Sequence, residues 1–243
     1  MGTGQPESHP IAGQVALVTG ASRGIGLAVA RRLGRMGARV AVCGRTAKAL
    51  EAAAATLAAD GIETLAVTAD VTRSGDVAAL VARTTGTFGP IDILVNNAGI
   101  GIFGPAHQAS EADWDAILDT NLKSVFLVSR VVVPEMIRRG KGQIINISSL
   151  AGKNTFANGG LYCASKWGLL GLTGCMAEDL RAHGIRVSAV CPGTVATEFS
   201  PHAGKDPGKM LQPEDVAHAV ALLVTQAPQS FISEVVLRPT QKP

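Results

Sequence analysis

The chain of 243 residues is poor in the features that mark metal centres, secreted scaffolds and membrane proteins. Its four cysteines stand at 43, 163, 175 and 191, with no CxxC and no Cys/His spacing of the zinc-binding kind. Cys43 and Cys191 fall in apolar, strand-like runs and read as buried free thiols. No segment reaches about 18 consecutive apolar residues, so no membrane span is expected. Residues 1–12 (MGTGQPESHPIA) are polar, lack the apolar stretch of a secretory signal, and read as a disordered tail. A reducing, cytoplasmic setting is the expectation. The formal net charge is only +3 and the basic residues are scattered, which argues against a nucleic-acid partner. One tyrosine occurs, Tyr162.

Hydrophobic residues make up 47% and charged residues 17%, a globular balance. Apolar runs rich in Val, Ile and Leu alternate with longer Ala-rich helical patterns. The strand candidates are QVALVTG, RVAVCG, TLAVTAD, IDILVNNAG, QIINISS, IRVSAVCPG and EVVLRP. Nearly continuous apolarity is how strands read when helices cover both faces of their sheet. Helical patterns fall near 24–36, 46–59, 75–87, 111–138, 160–183 and 213–226, the last opening on Pro213, a residue suited to a first turn. Repeated β-α-β alternation predicts an α/β fold: one Rossmann-type, doubly wound parallel sheet of about seven strands with helices on both faces. No linker or composition break divides it.

The segment Gly20-Ala21-Ser22-Arg23-Gly24-Ile25-Gly26 directly follows the first strand and opens the first helix. Gly20 permits a tight turn. Gly24 and Gly26 let a pyrophosphate approach the backbone and the helix pack close to the sheet. The amides at the helix start then face the phosphates. The spacing is GxxxGxG rather than the commoner GxGxxG. At the end of the second strand, where NAD-binding folds of this type usually carry an acidic residue for the ribose 2′-hydroxyl, the chain has Gly44 and then Arg45. A carboxylate would repel a 2′-phosphate, whereas an arginine pairs with it. NADP(H) is therefore the expected cofactor, with Arg23 as a candidate second cation; the other reading is two solvated surface arginines.

Tyr162 precedes Lys166 by four residues in a helical pattern, which sets both on one face. Free tyrosine titrates near 10, and a neighbouring ammonium stabilises its phenolate. The pair therefore suits proton transfer to or from a carbonyl oxygen. Ser148 and Ser149, at the end of the fifth strand, are both candidates to hold that oxygen.

These motifs, in order, resemble the short-chain dehydrogenase/reductase family over residues 12–240, with residues 13–240 as the domain: TGASRGIG at 19–26, Asp70 in ADVT, NNAG at 96–99, Asn121 in NLKSVF, ISS, YCASK at 162–166 and PGTVATEF at 192–199. The resemblance implies that Gly20, Ser22, Arg23, Gly24, Ile25, Gly26 and Arg45 hold the cofactor, and that Asp70 and Val71 contact its adenine. It implies that Asn97, Ala98 and Gly99 line its trough and steady the sheet. Pro192, Gly193, Val195 and Thr197 would wrap its nicotinamide end, beside Tyr162 and Lys166. The family serine lies 13 residues before the tyrosine, which selects Ser149. Asn121 resembles the asparagine that holds a water against the lysine in a proton relay. Asn121, Ser149, Tyr162 and Lys166 form the implied catalytic set.

The likeness is greatest to 3-oxoacyl-acyl-carrier-protein reductases, which implies an NADPH-dependent ketone reductase of fatty acid biosynthesis type and an acyl carrier protein as a partner. Two departures stand against that detail. The segment from Thr197 to Pro213 is short for a family lid, and the ending SEVVLRPTQKP lacks the usual Val-Asp-Gly-Gly. The RPT ending resembles members acting on 3-hydroxy acids or small carbonyl compounds, so an NADP-dependent dehydrogenase of a small alcohol or 3-hydroxy acid stands as an alternative, and a non-catalytic NADP-binding redox sensor as a third. Arg138, Arg139 and Lys141 cluster before the serine strand, either as a basic rim for an acidic carrier or as cations complementing a helix end. Phe103, His107, Phe156, Leu161, Phe199 and His202 are candidates to border the substrate. The 111–138 and 160–183 helices resemble the family's dimer-forming pair, which implies a homotetramer or homodimer.

Overall fold

The computed structural model describes residues 9–199 and 206–243. In chain order the elements are β1 (Val15–Thr19), α1 (Gly24–Arg35), β2 (Arg39–Gly44), α2 (Ala47–Ala59), β3 (Thr64–Thr68), α3 (Ser74–Phe88), β4 (Ile93–Asn96), α4 (Glu111–Leu118), a π-helical turn (Asp119–Lys123), α5 (Ser124–Arg139), β5 (Gly142–Ile147), α6 (Gly160–Arg181), β6 (Ile185–Pro192), α7 (Pro213–Val224) and β7 (Glu234–Leu237). The strands form one seven-stranded sheet in the order β3-β2-β1-β4-β5-β6-β7. Every pairing is parallel. The order reverses between β1 and β4, where a doubly wound sheet opens a crevice at its carboxyl end.

Alternation along each strand sends successive side chains to opposite faces. Ala16 and Val18 of β1 join Val40 and Val42 of β2 beneath α1, α2 and α7, while Val15 and Leu17 join Ala41 and Cys43 beneath α3, α5 and α6. All five residues of β1 are buried, which is why that run is apolar up to Thr19. Cys43, Cys163 and Cys191 are buried and free, and Cys175 is exposed and free.

Two expectations from sequence need correction. The helix expected over 111–138 is interrupted at Asp119–Lys123, where the backbone widens into a π turn around Asn121. Such bulges leave the helical periodicity readable on either side and are frequent at functional positions. The tail expected to extend through residue 12 ends earlier: Ile11 is buried, and its amide donates to Met36 O. Residues 1–8 lie outside the described residues. Pro213 does open α7, with a Gln212–Asp215 capping box around it.

Candidate active site

The loops at the carboxyl ends of β1, β2, β4, β5 and β6 border a cleft of about 1350 Å³. That exceeds the roughly 300–1,000 Å³ of a typical small-molecule site and leaves room for a dinucleotide beside a second molecule. Gly20, Ser22, Arg23, Gly24, Ile25, Arg45, Asp70, Val71, Asn97, Ala98, Gly99, Ser149, Tyr162, Lys166, Pro192, Gly193, Val195 and Thr197 all line it. Residues far apart in sequence converge because they lie on the loops and helix starts that follow the carboxyl ends of one parallel sheet.

The glycine turn has the geometry expected of a phosphate cradle. Gly20 has a φ of +62°, and a Cβ there would meet Ala98 Cα at 2.7 Å. The first turn of α1 carries neither a side-chain cap nor an acidic residue. Its amides and positive dipole end therefore remain open to an anion. Gly26 does not line the cleft; a Cβ there would sit 2.4 Å from Gly20 O and 2.5 Å from Asn97 Nδ2, so it permits close packing. Arg23 forms an exposed ion pair with Glu198 across the cleft, a contact the sequence did not suggest. Arg45 is exposed just beyond β2. Asp70 accepts hydrogen bonds from Thr72 N (3.0 Å) and Thr72 Oγ1 (2.8 Å). Burial works to raise its pKa, but these bonds and the Arg45 and Arg73 charges hold it below the ordinary value.

Asn97 links β1 and β4: its amide nitrogen donates to Thr19 O and Gly20 O, while Thr19 Oγ1 accepts from the backbone of Asn97 and Ala98. The motif thus shapes the cleft floor through packing. Asn121 is fully buried and does not line the cleft. Its Oδ1 accepts from Ile100 N at 2.8 Å, and its Nδ2 donates to Ile100 O and to Ser165 Oγ. The side chain holds the loop after β4 against α6, one residue before Lys166.

Tyr162 and Lys166 lie on one face of α6, with the Lys166 Nζ 5.9 Å from the Tyr162 ring centre. Lys166 is buried and donates to Ile147 O at 2.9 Å. Burial pulls its pKa down to about 8, so the side chain is still largely protonated at neutral pH. Burial pushes Tyr162 up to about 12, against a hydrogen bond with Ser149 that pulls it down. Desolvation outweighs that hydrogen bond. Ser149 Oγ also accepts from Ala151 N. Ser148 is buried and turns its hydroxyl to Lys166 O, supporting α6 rather than facing Tyr162.

Of the substrate-side candidates, Phe103, Phe156 and Phe199 line the cleft. Leu161 is buried outside it, and His107 is exposed beside Gln108. His202 lies outside the described residues. Thr46, Thr72, Ile100, Asn154, Thr155 and Glu198 also line the cleft. Thr72 and Glu198 fall within the ADVT and PGTVATEF motifs without an implied role, and the other four lie outside the motifs, so the fold identifies them. Arg138, Arg139 and Lys141 lie at the opposite end of β5, with Arg138 paired to Glu135 and the other two to Asp92. Among the described residues, no helix is long and apolar enough to cross a membrane.

Residues 14–208 match the family model described as short chain dehydrogenase. The chain is 37% identical to gluconate 5-dehydrogenase of Gluconobacter oxydans, over 96% of this chain and 95% of that protein. It is 38% identical to 3-oxoacyl-[acyl-carrier-protein] reductase of Synechocystis sp., over 90% and 92% respectively. A metagenomic short-chain oxidoreductase solved in complex with NADP superposes with a TM-score of 0.85 at 47% identity, covering 96% of this chain and all of that one.

Proposed function

The chain belongs to the short chain dehydrogenase family, and from that premise we propose that it is an NADPH-dependent oxidoreductase that reduces a ketone, a 3-oxoacyl thioester or related carbonyl, to an alcohol. The observation that carries the reading is one continuous cleft. It joins the uncapped glycine turn, Arg45 and Asp70 at one end to Ser149, Tyr162 and Lys166 at the other. The NADP complex of the 47% identical relative supports the choice of cofactor.

Bound NADPH supplies the hydride for the carbonyl carbon. The residues of this chain do the rest. Ser149 donates a hydrogen bond to the carbonyl oxygen as negative charge develops there. Tyr162 gives that oxygen a proton and is left as the phenolate. Lys166, a cation on the same helix face, stabilises the phenolate. Asn121 acts by position: it fixes Ile100 against Ser165 and so sets the loop after β4 against α6. Arg45 would pair with the 2′-phosphate of the cofactor, and the open amides of α1 would hold its pyrophosphate.

The same residues run the reverse reaction, so a dehydrogenase of a small alcohol or 3-hydroxy acid is the second reading. It draws support from the alcohol-oxidising name of the Gluconobacter relative. A non-catalytic sensor would have no need of the Tyr162–Lys166 pair. The paired state of Arg139 and Lys141, at the end of the sheet remote from the cleft, favours the helix-end reading of that cluster over a carrier-protein rim. The dimer-forming role of the α4–α5 and α6 pair, and a cytoplasmic setting, belong to this proposal as family expectations.

The test is steady-state oxidation of NADPH, with NADH as control, on acetoacetyl thioester and a panel of ketones. NADPH-selective turnover is the expected result. Preference for NADH, or no turnover with any carbonyl in either direction, would remove the reading.

A further inference from the structure

The substrate end of the cleft is aromatic. Phe103, from the loop after β4, lies 5.4 Å from the Tyr162 ring centre at a 59° tilt. Phe199, from the loop after β6, lies on Tyr162 at 5.9 Å and 55°. Phe156, from the loop before α6, stands 6.3 Å from Phe103. Two loops that share no local sequence thus converge on one tyrosine, and a third adds Phe156 behind Phe103. All three phenylalanines remain well exposed, at 41%, 41% and 50% for Phe103, Phe199 and Phe156. Apolar surface clustered in a cleft is a mark of ligand binding.

Glycines accommodate the rings. A Cβ at Gly101 would lie 2.6 Å from Phe103 and 3.1 Å from Phe199, and one at Gly159 would lie 2.6 Å from Phe156. Among the described residues that line the cleft, the charges near this end are Lys166 and the Arg23–Glu198 pair. Of the charged side chains lining the cleft, Arg45 and Asp70 stand at the adenine end, Arg23 and Glu198 pair with each other, and Lys166 is buried against Ile147 O. The polar groups left near the tyrosine, such as Asn154 and Thr155, are neutral.

The geometry points to an aryl ketone as the substrate class: a carbonyl compound whose aromatic ring slots among Phe103, Phe156 and Phe199 while its oxygen meets Ser149 and Tyr162. This rests on the ketone-reductase reading above and narrows it. Tilted aromatic pairs at these spacings are favourable beyond their area burial. Among the described residues a small anionic oxo acid or a sugar acid finds no cation here other than the buried Lys166, and its polar groups would be desolvated against rings.

The test uses the full-length enzyme with NADPH and compares an aryl alkyl ketone, an aliphatic ketone of equal carbon number, acetoacetyl thioester and free acetoacetate. The aryl ketone is expected to exceed the aliphatic one in kcat/KM by roughly tenfold, the gain of one to two aromatic contacts. Phe103→Leu and Phe156→Leu should raise KM for the aryl ketone several-fold more than for the aliphatic one. Preference for acetoacetate or an aliphatic ketone would overturn the inference while leaving ketone reduction standing. Equal loss on both ketones in the leucine variants would also overturn it, since rings that merely orient Tyr162 would behave that way. Aryl ketone binding is read separately, as quenching of the fluorescence of enzyme-bound NADPH. Saturable quenching without turnover would support the aromatic subsite and overturn the reductase reading; neither quenching nor turnover overturns both.

Discussion

The two ends of the central sheet expose the same kind of material, loose backbone groups at strand termini, and treat it in opposite ways. At the amino end, Asp92 accepts from Val15 N at 3.0 Å and pairs with Arg139 at 2.7 Å and Lys141 at 3.5 Å. Gln143 reaches Val224 O, and Arg186 reaches the carbonyls of Ala227 and Ser230. These polar groups satisfy one another, although Arg39 Nε and Arg139 Nε find no hydrogen-bond partner. At the carboxyl end, α1 begins without a side-chain cap, and burial moves both Tyr162 and Lys166 toward their neutral forms. One end is closed by its own side chains. The other is left wanting an anion, a hydrogen-bond partner and an apolar guest, which is what a dinucleotide and a ketone supply.

The contrast can be broken at either end. The largest effect is expected from Lys166→Met. Loss of the cation should cut turnover by roughly 10²-fold or more, as general acid–base catalysis contributes about 10²–10⁴-fold. The pH profile carries the sign. Alcohol oxidation needs the Tyr162 phenolate, and burial holds that group near 12 against the Ser149 hydrogen bond. Removing the charge that lowers it should shift the alkaline rise of oxidation to higher pH; an unmoved profile would mean that Lys166 does not act on Tyr162.

Arg45→Asp comes next. Hydrogen bonds to charged groups contribute about 1.5–3 kcal/mol, so the Kd for NADPH should rise roughly ten- to a hundredfold while that for NADH changes little. Titration by fluorescence checks it, and equal weakening of both cofactors would remove the 2′-phosphate role.

Asn121→Ala leaves the amide and carbonyl of Ile100 without their partner in a buried setting. A stability loss of about 1–3 kcal/mol is expected in denaturant melts, with activity falling as the loop after β4 loosens. The smallest effect on function belongs to the closed end. Asp92→Asn should cost between the roughly 1 kcal/mol of an exposed pair and the roughly 3 kcal/mol of a buried one, with kcat/KM unchanged. A large loss of activity there would dissolve the division between the two ends.

How much of this was legible beforehand follows from what each feature depends on. The strands were readable because helices cover both faces, so their apolar runs are unbroken. The glycine turn and the Tyr162–Lys166 pair were readable because their function depends on local spacing. The π turn at Asp119–Lys123 was not, since a one-turn widening leaves the flanking periodicity intact. Arg138, Arg139 and Lys141 were visible as a cluster, but Arg139 finds Asp92 across 47 positions, and no local pattern encodes that pairing. The Arg23–Glu198 contact and the convergence of Phe103 and Phe199 on Tyr162 are products of the fold in the same sense.

The central claim is that the open end of the sheet is a proton-transfer site built on Tyr162. Single-turnover ketone reduction by Tyr162→Phe, with NADPH already bound, tests it most directly. The expected result is a chemical step slowed roughly 10²-fold or more, with unchanged NADPH affinity and an intact fold. A variant that reduces the ketone at the wild-type rate would contradict the account.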